Sequence, residues 1–460
     1  MTGPASVTRR SLLRKRRLLL LVLGAAVAAA ATLFGGVLSE APASDGRSTP
    51  VAAPVFGAAT PVASAPARDA ATEIRRLQTA LRHDRSDAES LTLLGLAYEQ
   101  RARETGDPSY YSRADGVLGE ALALSPRSPL VQSGLGSLAL ARHRFRDALS
   151  LGRRAVALGT SSGAPRSLQS RSWGVVGDAL VELGRYGAAF GAFDRMMRLE
   201  PGLAAYARVS YARELLGHRA AALAPMRAAV DASDGEPEPL AWTSVQLGKL
   251  YWSLGRIDAA RAQYLRALHA LPGYVYALDA LAQVDAARGR SARAIAFERR
   301  AIATAPLPQF VATLVDLLSN AGRRAEARRQ YELMGAIRRL LAANGVKTDL
   351  EIALFQTDHR IRPRESLRLA RAARRDRPSV DGDDVLAWAL ARKGRCAEAL
   401  PYSQHALRLG TRDPLKLFHR GMIERCLGHH ADARAWFRRT LALNPHFSIL
   451  WSPVARRYAR

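Results

Sequence analysis

The constraint that governs this chain is a skeleton of small, aromatic and proline letters that returns about every 34 residues. Residues 173–201 read "WGVVGDALVELGRYGAAFGAFDRMMRLEP", and residues 244–272 read "SVQLGKLYWSLGRIDAARAQYLRALHALP". On one ruler, Val176-Gly177, Gly184, Ala189, Phe193 and Pro201 match Leu247-Gly248, Gly255, Ala260, Tyr264 and Pro272. The next unit supplies Leu281-Ala282, Gly289, Ala294 and Pro306, and a further one Leu314, Gly322, Ala327 and Tyr331. The polar letters between them drift. Letters that persist while polar ones change are packing letters, and each has a mechanical role. The small residue of the first helix (Gly177, Gly248, Ala282) lets a second helix approach. The turn Gly (Gly184, Gly217, Gly255, Gly289, Gly322, Gly394, Gly428) takes positive φ and ends the first helix. The Ala of the second helix (Ala189, Ala222, Ala260, Ala294, Ala327, Ala399, Ala433) sits where only a methyl fits. The Pro that follows breaks the chain before the next unit.

Carrying the register along the chain gives about ten units, beginning near residues 88, 129, 170, 203, 241, 275, 308, 347, 380 and 414. The first has an insertion, "RARETGDPSYY", between its helices. The fourth is followed by a loop, "DASDGEPEP", and the eighth lacks its turn Gly, reading "HRIRPRE". A helical stretch at 71–84 precedes the array and "FSILWSPVARRYAR" (447–460) closes it as a cap. Ala and Leu dominate while aromatics are only 7%, which favours helix over strand. The expected class is all-α, with a solenoid over 71–460.

This spacing and small/aromatic/Pro pattern resembles the tetratricopeptide repeat, a helix-turn-helix unit, over roughly 85% of the chain. The whole chain also resembles exported, Ala/Arg-rich tetratricopeptide proteins of actinobacteria. The resemblance implies a right-handed superhelix whose concave face is lined by the first helix of each unit. It further implies that this face reads partner peptides with exposed residues near the second, fifth, ninth and twelfth positions. In this chain those include Asp178, Tyr211, Glu214, Trp242, Lys249, Trp252, Tyr276 and Gln283. Trp242 and Trp252 stand out as interface anchors, with partial burial against a neighbouring unit as the competing reading.

The N-terminus reads as an address. "RRSLLRKRR" (9–17) precedes "LLLLVLGAAVAAAATLFGGVL" (18–38), which carries no charge. At about 1.5 Å per residue that run is long enough to cross a hydrocarbon core of about 30 Å. The basic block predicts a cytoplasmic tail over 1–17 and an exported body. Two forms are open: a signal anchor spanning 18–38, or a signal peptide cleaved near Ala41-Pro42-Ala43. "TRRSLLR" also resembles a twin-arginine export signal, although Lys15-Arg16-Arg17 departs from its spacing. Residues 39–70, rich in Pro and Ala, have no apolar period and are expected to form a disordered, polyproline-II-leaning linker.

The net charge of +27 comes almost wholly from Arg, since Lys occurs only at 15, 249, 347, 393 and 416. The Arg residues are spread along the chain, which reads first as decoration of solvated helix faces; the other reading is a basic surface that attracts anionic lipid or wall polymer. The Arg residues rarely interleave with stacking aromatics, so nucleic acid is not an expected partner. Catalytic patterns fail on context. Gly159-Thr160-Ser161-Ser162-Gly163 matches a nucleophile elbow, which needs a preceding strand that the register denies. Asp381-Gly382-Asp383-Asp384 lacks the rest of a calcium loop and suits a helix start. Cys426 and His430 are four apart, with His419 and His429 nearby, but the turn Gly428 separates them. The histidines then read as solvated turn residues rather than metal ligands. No phosphate loop, HExxH or CxxC occurs, and no enzyme, cofactor or metal site is expected.

Cys396 follows one turn Gly and Cys426 precedes the next, so in stacked units the two lie on one edge of the superhelix. Export would favour a disulfide between them. Two separate thiols, with Cα atoms beyond about 7 Å, are the alternative. The leading functional expectation is a non-enzymatic scaffold in the cell envelope that binds a protein or peptide partner. The alternative is a basic module that holds anionic lipid or wall polymer.

Overall fold

The computed structural model describes residues 70–460, and the expectations for the basic tail, the apolar run 18–38 and the linker lie outside them, apart from Ala70. The described residues form 22 helices and no strand. Twenty of them pair into ten antiparallel units. The first five are Ala88–Thr105 with Ser109–Leu124, Pro129–Ala141 with Phe145–Ser161, Arg166–Glu182 with Tyr186–Leu199, Leu203–Leu215 with Arg219–Asp231, and Pro237–Ser253 with Ile257–Ala270. The second five are Val275–Ala287 with Ser291–Thr304, Pro308–Asn320 with Arg324–Ala343, Asp349–Asp358 with Pro363–Asp376, Val380–Arg392 with Cys396–Ala406, and Pro414–Cys426 with His430–Leu443. The helix Ala70–His83 precedes unit 1, and Ser452–Tyr458 closes the array.

Four of the units close where a second-helix side chain enters the space of an absent Cβ. A Cβ on Gly177 would meet the Phe193 ring, one on Gly248 the Tyr264 ring, and one on Gly421 the Phe437 ring, all closer than real contacts allow. In unit 1, Leu118 plays the same part against Gly95. The paired Ala residues Ala189, Ala222, Ala260, Ala294 and Ala399 are fully buried.

Departures from the expected register have local causes. Units 3 and 5 start about a turn early, because Pro165 and Pro237 sit at the helix entry, where a missing N–H costs nothing. The insertion in unit 1 is divided between its helices: residues 101–105 extend an 18-residue first helix that ends on Gly106 at φ 73°, and residues 109–111 open the second. Where the turn Gly is missing, other residues take the left-handed region: His143 at φ 56° in unit 2, and Arg360 at φ 54° in unit 8. In the cap, Trp451 packs edge-on against Trp388 and alongside Phe418.

The superhelix returns onto itself after six units. The turn of unit 3 meets the loop before unit 9, where the Val380 N–H donates to Tyr186 Oη at 2.7 Å. Beside it Arg377 grips Glu182 with two nitrogens and reaches Glu351 at 3.2 Å. The turn of unit 4 meets the loop before unit 10 through Thr411 Oγ1 donating to the Leu215 carbonyl at 2.6 Å. The turn of unit 5 meets the chain after unit 10, where Asn444 Nδ2 donates to the Trp252 carbonyl at 2.9 Å. Unit 2 repeats the pattern through His143 Nδ1 and the Lys347 carbonyl at 2.7 Å. A Cβ on Gly184 or Gly217 would collide with the carbonyl of Pro378 or Gly410. These two turn glycines therefore serve a second purpose: they let one superhelical turn touch the next.

Cys396, at the start of a second helix, and Cys426, at the end of the following first helix, are joined by a disulfide with Cα atoms 6.1 Å apart. The chain-entropy model assigns a crosslink of this loop length about 3–4 kcal/mol.

Packing of this kind predicts opposite signs for two Gly→Ala changes. Gly248→Ala should cost about 1–3 kcal/mol through overpacking against Tyr264. Gly119→Ala, where an added methyl meets nothing, should stabilise by about 0.5–1 kcal/mol. Urea unfolding followed by circular dichroism measures both, and equal signs would contradict the packing described.

Candidate functional site

The first helices of units 3, 4 and 5 present Asp178, Tyr211, Glu214, Trp242, Lys249 and Trp252 toward one cavity of about 310 Å³. Its far wall belongs to the next superhelical turn: Asp381, the segment Thr411–Lys416, Asn444 and Phe447. The concave face is thus partly covered here by the seam and forms a half-open cavity.

Six of the eight groove residues expected from the sequence line this cavity. The other two are placed differently. Tyr276 is only 6% exposed and packs edge-on between Tyr274 and Phe310, so it is a core residue. Gln283 donates to Asp279 at 3.0 Å, both residues lying on unit 6, away from the cavity. Trp242 and Trp252 are half-buried at the edges of inter-unit clusters and still face the space. The wall supplied by unit 10 is not legible in the sequence, because it lies about 200 residues away and no local pattern announces it.

Charges in the wall fall into two groups. Arg208 holds Asp178 through two bonds, at 2.9 and 2.7 Å. Lys416 bridges Asp381 at 2.7 Å and Asp413 at 2.9 Å, while Arg219 donates to the Ser253 carbonyl. Glu214 and Lys249 make no hydrogen bond or ion pair among the described residues. Burial, with the charge of Asp413 beside it, pushes the Glu214 carboxyl up to about 7. Burial likewise lowers Lys249, against the attraction of Asp279 and Glu214.

The catalytic and metal motifs resolve into structural roles. Ser161 ends a helix and Gly163 turns the chain at φ 65°, so the elbow pattern has no strand before it. The helix at 380 is capped by Ser379, and its acidic first turns are engaged: Asp381 pairs with Lys416, Asp383 with Arg374 and Arg408, and Asp384 is hydrogen-bonded to His419. His419 corrects the expectation of a solvated histidine. It is fully buried, stacked on Trp388 at 4.4 Å and bonded through Nδ1 to Asp384 at 2.9 Å. Cys426 is bonded to Cys396, so it cannot pair with His430 on a metal. Glu424, His429 and Asp432 do converge at the last turn, but Glu424 is already held by Arg420 and His429.

Residues 133–204, 245–307 and 385–446 match the family model described as Tetratricopeptide repeat. These three stretches are tetratricopeptide repeats, a family whose members are generally protein-binding scaffolds rather than catalysts. No curated protein matches it. Among solved structures it is similar to TTC0263, a thermophilic TPR protein of Thermus thermophilus, at 24% identity, with 44% of this chain and 98% of that one covered and a TM-score of 0.36. It is also similar to the APC/C hetero-tetramer Cut9–Hcn1, at 13% identity, 85% and 93% coverage and a TM-score of 0.36. A third, YrrB, a TPR protein with an unusual peptide-binding site, shares 17% identity with 40% and 90% coverage and a TM-score of 0.27.

Buried carboxyls set the expected pH response. Burial raises Glu99 to about 7 and Asp279 to about 6, as it does Glu214. A carboxyl whose pKa is higher folded than unfolded makes the folded state hold an extra proton between the two values. Its contribution is complete below the unfolded pKa and fades as pH rises through the folded one. Thermal stability should therefore decline as pH rises from about 5 to about 8, by up to about 1.4 kcal/mol per pKa unit of a fully buried group. Glu99→Gln should flatten that decline in a calorimetric pH series; a profile that rises over the same range would contradict it.

Proposed function

We propose that this protein is a non-enzymatic scaffold that captures a segment of a partner protein in the cavity of units 3–5, and that it does so in the cell envelope. The observation that carries the reading is the convergence of Tyr211, Trp242 and Trp252 with charged groups on one half-open cavity. Large aromatics at the centre of a desolvated pocket are the usual sites of binding energy. A solenoid presents such a surface because each unit uses its packing residues on its neighbours and leaves its concave residues to vary. The envelope placement is supported by the basic block at 9–17 and the uncharged run 18–38, and a disulfide at Cys396–Cys426 suits an oxidising compartment.

Capture from envelope extracts by the full chain, compared with Trp252→Ala, tests this reading. The variant should lose its specific partner by about thirtyfold or more in affinity, with helicity retained. Salt separates attachment modes, since capture through an aromatic cavity should survive high ionic strength. Capture that vanishes with salt and ignores Trp252→Ala would favour electrostatic attachment to anionic lipid or wall polymer instead.

A further inference from the structure

The cavity wall contains an anion, Glu214, and a cation, Lys249, that make no ion pair or hydrogen bond among the described residues; of the other lining cations without an ion pair, Arg219 is spent on the Ser253 carbonyl and Arg412 is exposed. The remaining cavity-lining acids are held by partners: Asp178 by Arg208, and Asp381 and Asp413 by Lys416. Glu214, on the first helix of unit 4, and Lys249, on the first helix of unit 5, are held by none among the described residues. Each feels the other's field, Glu214 after that of Arg219 and Lys249 after that of Asp279, yet neither makes a contact that neutralises it. In surroundings poor in water, opposite charges gain most by contact, so two of them held apart leave unmet attraction at both ends of a gap. Tyr211, Trp242 and Trp252 supply apolar wall around that gap.

A ligand that completes this wall carries a positive group for Glu214 and a negative group for Lys249. Size limits it further. At about 310 Å³ the cavity lies at the small end of ligand sites, which span about 300–1,000 Å³. One or two amino-acid units fit.

We propose that the cavity receives an ammonium and a carboxylate carried within one or two amino-acid units, the ammonium against Glu214 and the carboxylate against Lys249. Two sources share this chemistry: a free amino acid or dipeptide, and the amino-terminal end of a partner chain with an acidic residue at its first or second position. The inference rests on the cavity being the capture site and adds what enters it. The raised Glu214 carboxyl and the lowered Lys249 amine agree with it, since a ligand charge of the opposite sign reverses each shift.

Calorimetric titration of the detergent-solubilised full chain tests it with four probes. These are alanyl-glutamate, a longer amidated peptide beginning with the same two residues, the acetylated form of that peptide, and its glutamine analogue. Wild-type protein should bind at least one of the first two saturably. Acetylation should weaken binding about tenfold or more, as should removal of the carboxylate. Glu214→Gln should abolish the penalty for acetylation, and Lys249→Met the penalty for the glutamine analogue, with melting temperatures confirming that both variants fold. Binding of the dipeptide alone identifies a free small molecule as the source, and binding of the longer peptide identifies a chain end. Absence of saturable binding by both free-amine probes, or indifference to acetylation, overturns the proposal. If Trp252→Ala still abolishes partner capture in that case, the scaffold reading stands while this inference falls.

Discussion

Everything in this protein depends on how closely two helices of one unit approach. Gly177 receives Phe193, Gly248 receives Tyr264 and Gly421 receives Phe437, each ring lying where a Cβ would otherwise be. That approach sets the tilt within a unit, and the small angular step from one unit to the next then accumulates into a superhelix. Six steps bring the chain back over itself. The cavity is a consequence of that arithmetic: no single unit contains it, and no unit could be removed without displacing its roof.

The contact between successive turns is polar and regular. Turn glycines Gly184 and Gly217 bring backbone against backbone, and hydrogen bonds from Val380, Thr411 and Asn444 close the gap. At one point the seam buries charge, with Arg377 held between Glu182 and Glu351 and lying over the Phe145 ring. A buried pair of this kind adds little net stability, but breaking it leaves an uncompensated charge, which is costly. It therefore acts chiefly to define which turn faces which. The aromatic residues of the concave face then meet a fixed wall of unit 10 instead of bulk water.

Much of this is legible in the letters. Repeating Gly, Ala and aromatic positions are forced by packing, so the ten units, the leading helix and the cap can be read from them. Six residues that line the cavity occupy positions that follow from the same register. The sequence is silent where contacts join residues about 195 positions apart, since nothing local in Glu182 or Arg377 marks them as partners. Tyr276 departs from its expected place for a related reason: its position in the unit points toward the concave side, but Tyr274 and Phe310 fill the space around it. His419 reads as solvated because it stands near a turn, whereas the Trp388 ring and Asp384 take it into the core.

Closure of one superhelical turn on the next is the claim on which the cavity stands, and a distance across the seam tests it most directly. His218 and Arg412 are exposed sites for spin labels and lie on the two turns where Gly217 faces the loop of Gly410. Pulsed electron-resonance measurement on the full chain should give a single short, narrow distance distribution. A long or broad distribution would mean that the two turns are apart, and with them the walls of the proposed site.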